Sequence, residues 1–401
     1  MALLPVEEAL QRILDGVEPM PAESVPIAAA AGRTLASPLA ARLTQPPFDA
    51  SAMDGYAVRH ADVRTLPATL TEIGQAAAGH PFAGSIGPGQ AVRIFTGAPV
   101  PAGADAVVIQ ENVSRDGAKI IVREGVAERG NIRDNGFDFR AGDTLLEAGR
   151  RIGPRELSLA AAMGHGELPV RRRPRVAVLA TGDVLVHPGG SLGPGQIIAS
   201  NHLGVAALAE ASGAEARLLG IARDTRESLD THIAKAADAD VLVTIGGASV
   251  GDHDLVAPAL QARGMALAFW KIAIRPGKPL MFGRLGHARV LGLPGNPVSA
   301  IVCARVFLVP LIHALLGRPD QGQGMQQART AVPLEANGPR THYMRATSTT
   351  GADGQAEVTP VRSQDSSLLA PLAQADCLLV RPVNAPAAPA GSPVQILPLD
   401  F

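Results

Sequence analysis

From residue 175 onward the chain repeats one unit: a continuous apolar run, a polar glycine-bearing loop, then a helical segment. RVAVLATGD (175–183) is followed by HLGVAALAEASG, ARLLGIARD by ESLDTHIAKAA, and DVLVTIGGASVGD and ARVLGLPGNPVSAIVCARVFL extend the series. Strands that are apolar on both faces and alternate with helices fold into a parallel sheet covered on both sides. Such sheets bind ligands in the crevice beyond the strand C-termini. The loops TGD, GGASVGDHD and LPGNP all fall at strand ends, so they are expected to converge there.

The flanking sequence follows other patterns. Between residues 46 and 140, short apolar runs such as AVRIF and ADAVVI are separated by GSIGPGQ and GAPVPAGAD, which predicts a small β-rich unit. Val6, Leu10, Ile13, Leu14 and Val17 recur at helical spacing, so the N-terminal segment reads as an amphipathic helix and not a signal peptide. GPRELSLAAAM predicts a second helix, with Pro154 in its first turn and a stop at Gly164; the RRRPR that follows reads as a solvated linker. Past residue 319 a Gln/Gly-rich stretch gives way to short alternating segments, TSTT, AEVTPV, DCLLVRPV and PVQILPL, which predict a C-terminal β domain.

Composition excludes several function classes. A formal charge of −1 argues against a general nucleic-acid binder. Two distant cysteines, Cys303 and Cys377, provide neither a thiolate metal cage nor a disulfide framework; they read as small buried apolar residues in a reducing compartment. Arg305, Pro310 and His313 interrupt the apolar stretch 300–316, which falls short of the ~18 uninterrupted residues of a membrane span. A cytoplasmic protein with no membrane association is expected. The motifs G-x-x-x-x-G-K-[ST], G-x-G-x-x-G after a strand and H-E-x-x-H are all missing from the sequence, so kinase, dehydrogenase and zinc-protease readings lack support.

The strand-end loops carry chemistry of another kind. In TIGGASVGDHD, Gly246 and Gly247 permit close backbone approach, Ser249 offers a hydroxyl, and Asp252 and Asp254 are hard oxygen donors suited to Mg²⁺ rather than zinc. His253 reads as a solvated loop side chain. In FWKIAIRPGKPLMF, strand alternation would set Lys271, Ala273 and Arg275 on one side, while the PGKP turn presents Lys278 to phosphate or another tetrahedral anion. In GLPGNPVSA, after Pro294, Asn296 is a plausible N-cap and Pro297 the first helical residue, and a helix N-terminus also favours an anion. Together these features predict a nucleotide or other polyanion held with a divalent metal. A separate stretch, PPFDASAMDGYAV (46–58), groups Asp49, Ser51, Asp54 and Tyr56 around Gly55; turn chemistry alone explains it as a loop, and its residues leave a site reading open.

PPFDASAMDGYAV, RIFTGAPVPAGADAVVIQE, NIRDNGFDF, TGDVL, GGASVGDHD, RPGKP and GLPGNPVSA occur in the order found in molybdopterin molybdenumtransferases, and the whole chain resembles this MoeA family, which includes the gephyrin E domain. The resemblance implies insertion of molybdate into adenylylated molybdopterin with Mg²⁺-assisted release of AMP. It implies an α/β multidomain fold with a central three-layer, MogA-like domain at 174–318 that binds molybdopterin and has a parallel-rich sheet. Around it would lie a discontinuous, elongated N-terminal domain (1–45 with 141–173), a β-rich insert domain (46–140) and a C-terminal β domain (319–401). A homodimer is implied, in which the insert domain of one subunit approaches the α/β domain of its mate; the preceding adenylyltransferase and acceptor molybdoenzymes would be further partners.

By position, the family's acidic site residues correspond to Asp54, Asp138, Asp224 and Asp254, with Asp224 and Asp254 at the metal. Thr96 joins them as a catalytic position. Gly246, Gly247, Ser249, Lys271, Arg275 and Lys278 would bind substrate, together with Asp183 and the loop residues Pro294, Asn296 and Pro297; Arg345 and Ser366 are the C-terminal anion contacts. Two departures stand out. The family's T-G-D-E-L is Thr181-Gly182-Asp183-Val184-Leu185 here, and Phe137 replaces an acidic residue before Asp138. Valine can neither bind a metal nor relay a proton. Two alternatives follow: a scaffold or binding homologue with impaired catalysis, and a molybdopterin adenylyltransferase, which the insert and C-terminal domains disfavour.

Overall fold

The structure is a computed structural model and describes residues 3–247, 255–319 and 324–400. At its centre lies a six-stranded sheet in the order Glu215–Ala222, Arg175–Thr181, Val241–Ile245, Ala288–Leu293, Met281–Leu285, Ala266–Trp270. The first four strands are parallel, and the last two fold back antiparallel at one edge. Alternation divides the strand residues between two cores. Val176, Val178, Val243 and Ile245 pack with Val205 and Leu208 of the helix Asn201–Ala211. Ala177, Leu179 and Leu242 pack with Leu229 and Ile233 of Arg226–Ala234 and with Val256 and Leu260 of Val256–Ala262. This is the expected three-layer α/β domain.

From Arg175–Thr181 the chain crosses to one neighbour, Glu215–Ala222, and then back past its starting strand to Val241–Ile245. The strand order therefore reverses between Arg175–Thr181 and Val241–Ile245, which makes their C-terminal ends the switch point where sheets of this kind bind ligands.

Three other units surround this domain. Ala22–Pro26 pairs with Glu167–Arg171, and Leu39–Ala40 with Thr144–Leu146, over a core containing Leu35, Ile152 and Met163. Inserted into this unit is a six-stranded sheet ordered Ala106–Ile109, Gly55–Val58, Gln90–Ile94, Ala68–Ala76, Lys119–Val122, Val113–Asp116. The C-terminal sheet runs Ile274–Arg275, Thr341–Thr350, Ala356–Pro360, Gln326–Thr330, Pro393–Pro398, Cys377–Arg381, and pairing of Thr341–Thr350 with Cys377–Arg381 gives it a barrel-like closure. Its first strand, Ile274–Arg275, is contributed by the α/β domain's own chain.

Three expectations need correction. The helix Val6–Leu14 packs into the α/β core through Val6, Ala9 and Ile13 instead of joining the first domain. Its apolar stripe needs an apolar surface, and the long core helix supplies one; Arg284 and Arg289 also donate to the Asp15 carbonyl at 2.6 and 2.9 Å. The stretch interrupted by Arg305 and Pro310 is in fact one helical run, Pro297–Leu315, of 19 residues with mean hydropathy 2.1 and 83% of its apolar window buried in the fold. By length and composition that helix could cross a membrane. A π-helical turn at Ala304–Leu308 precedes Pro310 and lets the chain continue past the missing N–H. The RRRPR run is anchored rather than free: Arg171 donates to the Met20 and Ala36 carbonyls, and Arg172 makes a two-point contact with Asp240 at 3.0 and 2.8 Å.

His342 sits in register with Arg275 where the α/β and C-terminal domains join, and it is 7% exposed. Burial first, and then the charges of Arg275, Arg340 and Arg345, push its pKa from 6.5 down to about 4. The unfolded chain therefore binds more protons than the native one between these values, so stability is lost as pH falls from about 6.5 towards about 4. Thermal melting measured across that window should show the loss, and His342→Gln should flatten the pH dependence.

Candidate active site

Four chain segments meet at the switch point. Arg175–Thr181 ends in Gly182, whose φ of 140° turns the chain so that Asp183 faces the end of the neighbouring strand. Asp183 and Asp224 are braced reciprocally: the Asp183 N–H donates to the Asp224 carboxylate at 3.2 Å, and the Asp224 N–H to the Asp183 carboxylate at 3.1 Å. At the end of Val241–Ile245, Gly246 has φ 94°, and a Cβ there would lie 2.6 Å from the Thr181 carbonyl oxygen. Only glycine permits that approach. The Gly246 N–H donates to the Leu293 carbonyl at 3.1 Å, which brings the Pro294–Gly295 loop alongside. Ser249 and Asp254 lie outside the described residues. Among the described residues, no group of three or more His, Cys, Asp or Glu side chains could hold a metal ion.

The loop after Leu293 is held from two directions. Asn201, at the start of its helix, donates to the Gly295 carbonyl at 2.7 Å. Asn296 occupies the N-cap position with Pro297 opening the helix, but its side chain makes no cap; it donates to Ser366 Oγ at 2.9 Å. The Ser366 carbonyl accepts from the Val298 N–H at 3.0 Å and so satisfies one free donor of the helix end. The C-terminal domain thus closes one side of the crevice through Ser366.

Arg345 does not reach the crevice as an anion contact. It is 1% exposed, and its guanidinium donates to the carbonyls of Leu368, Ser363 and Asp365 at 2.8, 2.9 and 2.8 Å. Its charge is spent holding the loop that carries Ser366. The strand reading of KIAIR also changes: Lys271 has φ 75°, and the strand resumes only at Ile274–Arg275, so Lys271 and Arg275 are not alternate positions of one strand. Lys278 is exposed on the PGKP turn, as expected. Gly277, at φ 111°, rests on Cys303, where a Cβ would come within 2.3 Å of Sγ. Burial pushes the Cys303 thiol well above its ordinary range, so it serves as packing.

The remaining predicted residues lie elsewhere in the chain. At the tip of the insert sheet, Asp54 accepts from the Thr96 N–H and the Thr96 hydroxyl, both at 2.8 Å. These two bonds, with a smaller contribution from Arg93, hold the Asp54 carboxyl below the usual carboxylate range. Asp138 is exposed and its N–H donates to the Gln45 carbonyl at 3.0 Å. Among the described residues, no hydrogen bond joins Asp54, Thr96 or Asp138 to the crevice residues. The sequence reading missed Asn201. Its signal was an asparagine directly after Ser200 at a helix start, where capping by either residue is the simpler explanation.

Comparison with known proteins accounts for nearly the whole chain. Residues 4–164 match the MoeA N-terminal region (domains I and II), 177–314 a probable molybdopterin binding domain, and 327–399 the MoeA C-terminal region (domain IV). A molybdopterin molybdenumtransferase of Haemophilus influenzae is 36% identical over 99% of both chains. One from a Nostoc species is 36% identical over 94% of this chain and 89% of its own. The crystal structure of a molybdopterin biosynthesis MoeA protein from Pyrococcus horikoshii superposes with a TM-score of 0.83 at 31% identity, covering 100% of both chains.

Proposed function

The chain belongs to the MoeA family, and from that premise we propose that it inserts molybdate into adenylylated molybdopterin at the switch-point crevice, releasing AMP. It is a molybdopterin molybdenumtransferase, an enzyme of molybdenum cofactor biosynthesis. The observation that carries the assignment of the crevice is the meeting of Asp183, Asp224, Gly246 and the Ser366-braced helix N-terminus at one sheet edge. The adenylyltransferase alternative is not favoured, because molybdenumtransferases align over nearly the full length of this chain.

Molybdate is a tetrahedral dianion and the adenylate carries a second negative centre, so the site has to offset repulsion between them. Lys271, Arg275 and Lys278 supply positive charge from a loop fixed on Cys303. Gly246 and Gly247, with φ of 94° and 59°, allow substrate oxygens to approach backbone, and the 294–297 loop adds the helix dipole. Ser249 belongs to the same substrate set by position. The braced Asp183–Asp224 pair presents hard carboxylate oxygens of the kind Mg²⁺ uses alongside phosphate oxygens and water, with Asp224 and Asp254 as its ligands. Such an ion would neutralise charge developing on the departing phosphate.

Asp54, Thr96 and Asp138 enter this site from a second subunit in our reading. Support comes from apolar side chains left exposed near them in the single chain, Phe137 at 70% and Met53 at 43%, and beside the crevice, Ile197 at 57%. Exposed apolar side chains at both places are compatible with burial against a mate, and a twofold dimer would supply both halves of each site. Cytoplasmic localisation, and exchange with the preceding adenylyltransferase and acceptor molybdoenzymes, complete the proposal.

The test is to incubate the purified protein with adenylylated molybdopterin, Mg²⁺ and molybdate, and to measure AMP release and molybdenum retained on the pterin. Adenylate binding without molybdate-dependent AMP release would overturn catalysis in favour of a scaffold. Val184 is 49% exposed in the turn beside Asp183. Val184→Glu is expected to lower the Mg²⁺ concentration giving half-maximal rate by roughly fivefold, the worth of one further solvated carboxylate. An unchanged Mg²⁺ dependence would show that the present carboxylates suffice.

A further inference from the structure

Arg93 lies on the central strand Gln90–Ile94 of the insert sheet, directly opposite Tyr56 and three residues before Thr96. Its guanidinium lies against two aromatic rings, 5.1 Å from the Tyr56 centroid and 4.9 Å from that of Phe95. From there one nitrogen donates to the Gly55 carbonyl at 3.1 Å and another to the Gln110 side-chain oxygen at 2.5 Å. The Gln110 N–H in turn donates to the Asp54 carbonyl at 3.1 Å. Gly55 lies so close to the neighbouring strand that a Cβ there would come 2.0 Å from the Val108 carbonyl oxygen, so no other residue fits at this acceptor.

Three segments around Asp54 are therefore tied to one guanidinium: the strand that begins beside it, the strand leading to Thr96, and the segment at Gln110. We infer that Arg93 is a positioning residue for metal insertion, fixing the Asp54–Thr96 pair through Gly55 and Gln110 without itself touching substrate. The inference rests on the reading that Asp54 works in that reaction. Lysine could keep the positive charge against the rings, but its single ammonium cannot bridge two acceptors in the guanidinium's planar fork. Displacement of a reacting group by about 1 Å costs on the order of 100-fold in rate, so partial loosening of this brace should fall below that limit.

The experiment measures molybdate-dependent AMP release for Arg93→Gln, Asp54→Asn and the double variant, with thermal melting as the control for folding. Arg93→Gln is expected to lower kcat about tenfold with KM for the adenylate unchanged, and to add less than about twofold in the Asp54→Asn background, because coupled residues are non-additive. Arg93→Lys should recover only part of the loss. Near-wild-type turnover in Arg93→Gln, or full additivity with Asp54→Asn, overturns the inference. Should Arg93→Gln fail to fold, Arg93→Lys and its double variant decide by the same criteria. If Asp54→Asn alone keeps the wild-type rate, the underlying reading of Asp54 fails, a result distinct from an inactive Asp54→Asn beside an unaffected Arg93 variant.

Discussion

Asp54→Asn is expected to slow molybdate-dependent AMP release by about 100-fold or more, the usual cost of removing a positioned acid–base or charge-stabilising group, while melting temperature and oligomeric state stay unchanged. The residue is half-buried, and among the described residues its carboxylate accepts from the Thr96 N–H and hydroxyl. Asparagine preserves the shape and removes the charge, so the change isolates what the carboxylate contributes. Because Thr96 holds the group ionised, the wild-type rate should not decline on its account until pH drops below the ordinary carboxylate range. A change of oligomeric state in place of the loss of turnover would return 46–58 to a structural role.

Arg345→Met should have the largest effect on stability, destabilising the protein by about 3 kcal/mol, the scale for leaving buried hydrogen-bonding groups without a partner. The three carbonyls of Ser363, Asp365 and Leu368 lose their shared donor. Denaturant unfolding measures that cost, and amide exchange at Val298, whose partner is the Ser366 carbonyl, should rise with it. Activity should fall because Ser366 no longer braces Asn296. If Arg345→Met unfolds at the wild-type denaturant concentration and yet raises the KM for molybdate steeply, the guanidinium acts on the anion directly and the brace reading is wrong.

The central sheet was legible because its strands are apolar on both faces, a pattern few other folds require, and the crevice followed from strand-end loops. Legibility ended where function depends on contacts between distant segments. Nothing local distinguishes an Arg345 that binds an anion from one that closes a loop; the distinction lies in carbonyls some twenty residues away. Asn296 likewise reads as a cap until Ser366 arrives from another domain. The alternation in KIAIR failed for a backbone reason, the positive φ of Lys271, which side-chain periodicity does not encode. Arg93 went unnoticed because Tyr56 and both of its acceptors, Gly55 and Gln110, are brought to it only by the folding of the sheet.

The two-residue strand Ile274–Arg275 belongs by sequence to the α/β domain and by pairing to the C-terminal sheet. A hinge motion of the C-terminal domain cannot leave that strand behind without breaking its pairing with Thr341 and His342. Arg275, and with it the turn that presents Lys278, would travel with the moving body. The exposed cations of this turn and the C-terminal sheet are thus geared together, so a shift of one would come with a shift of the other as a single mechanical state.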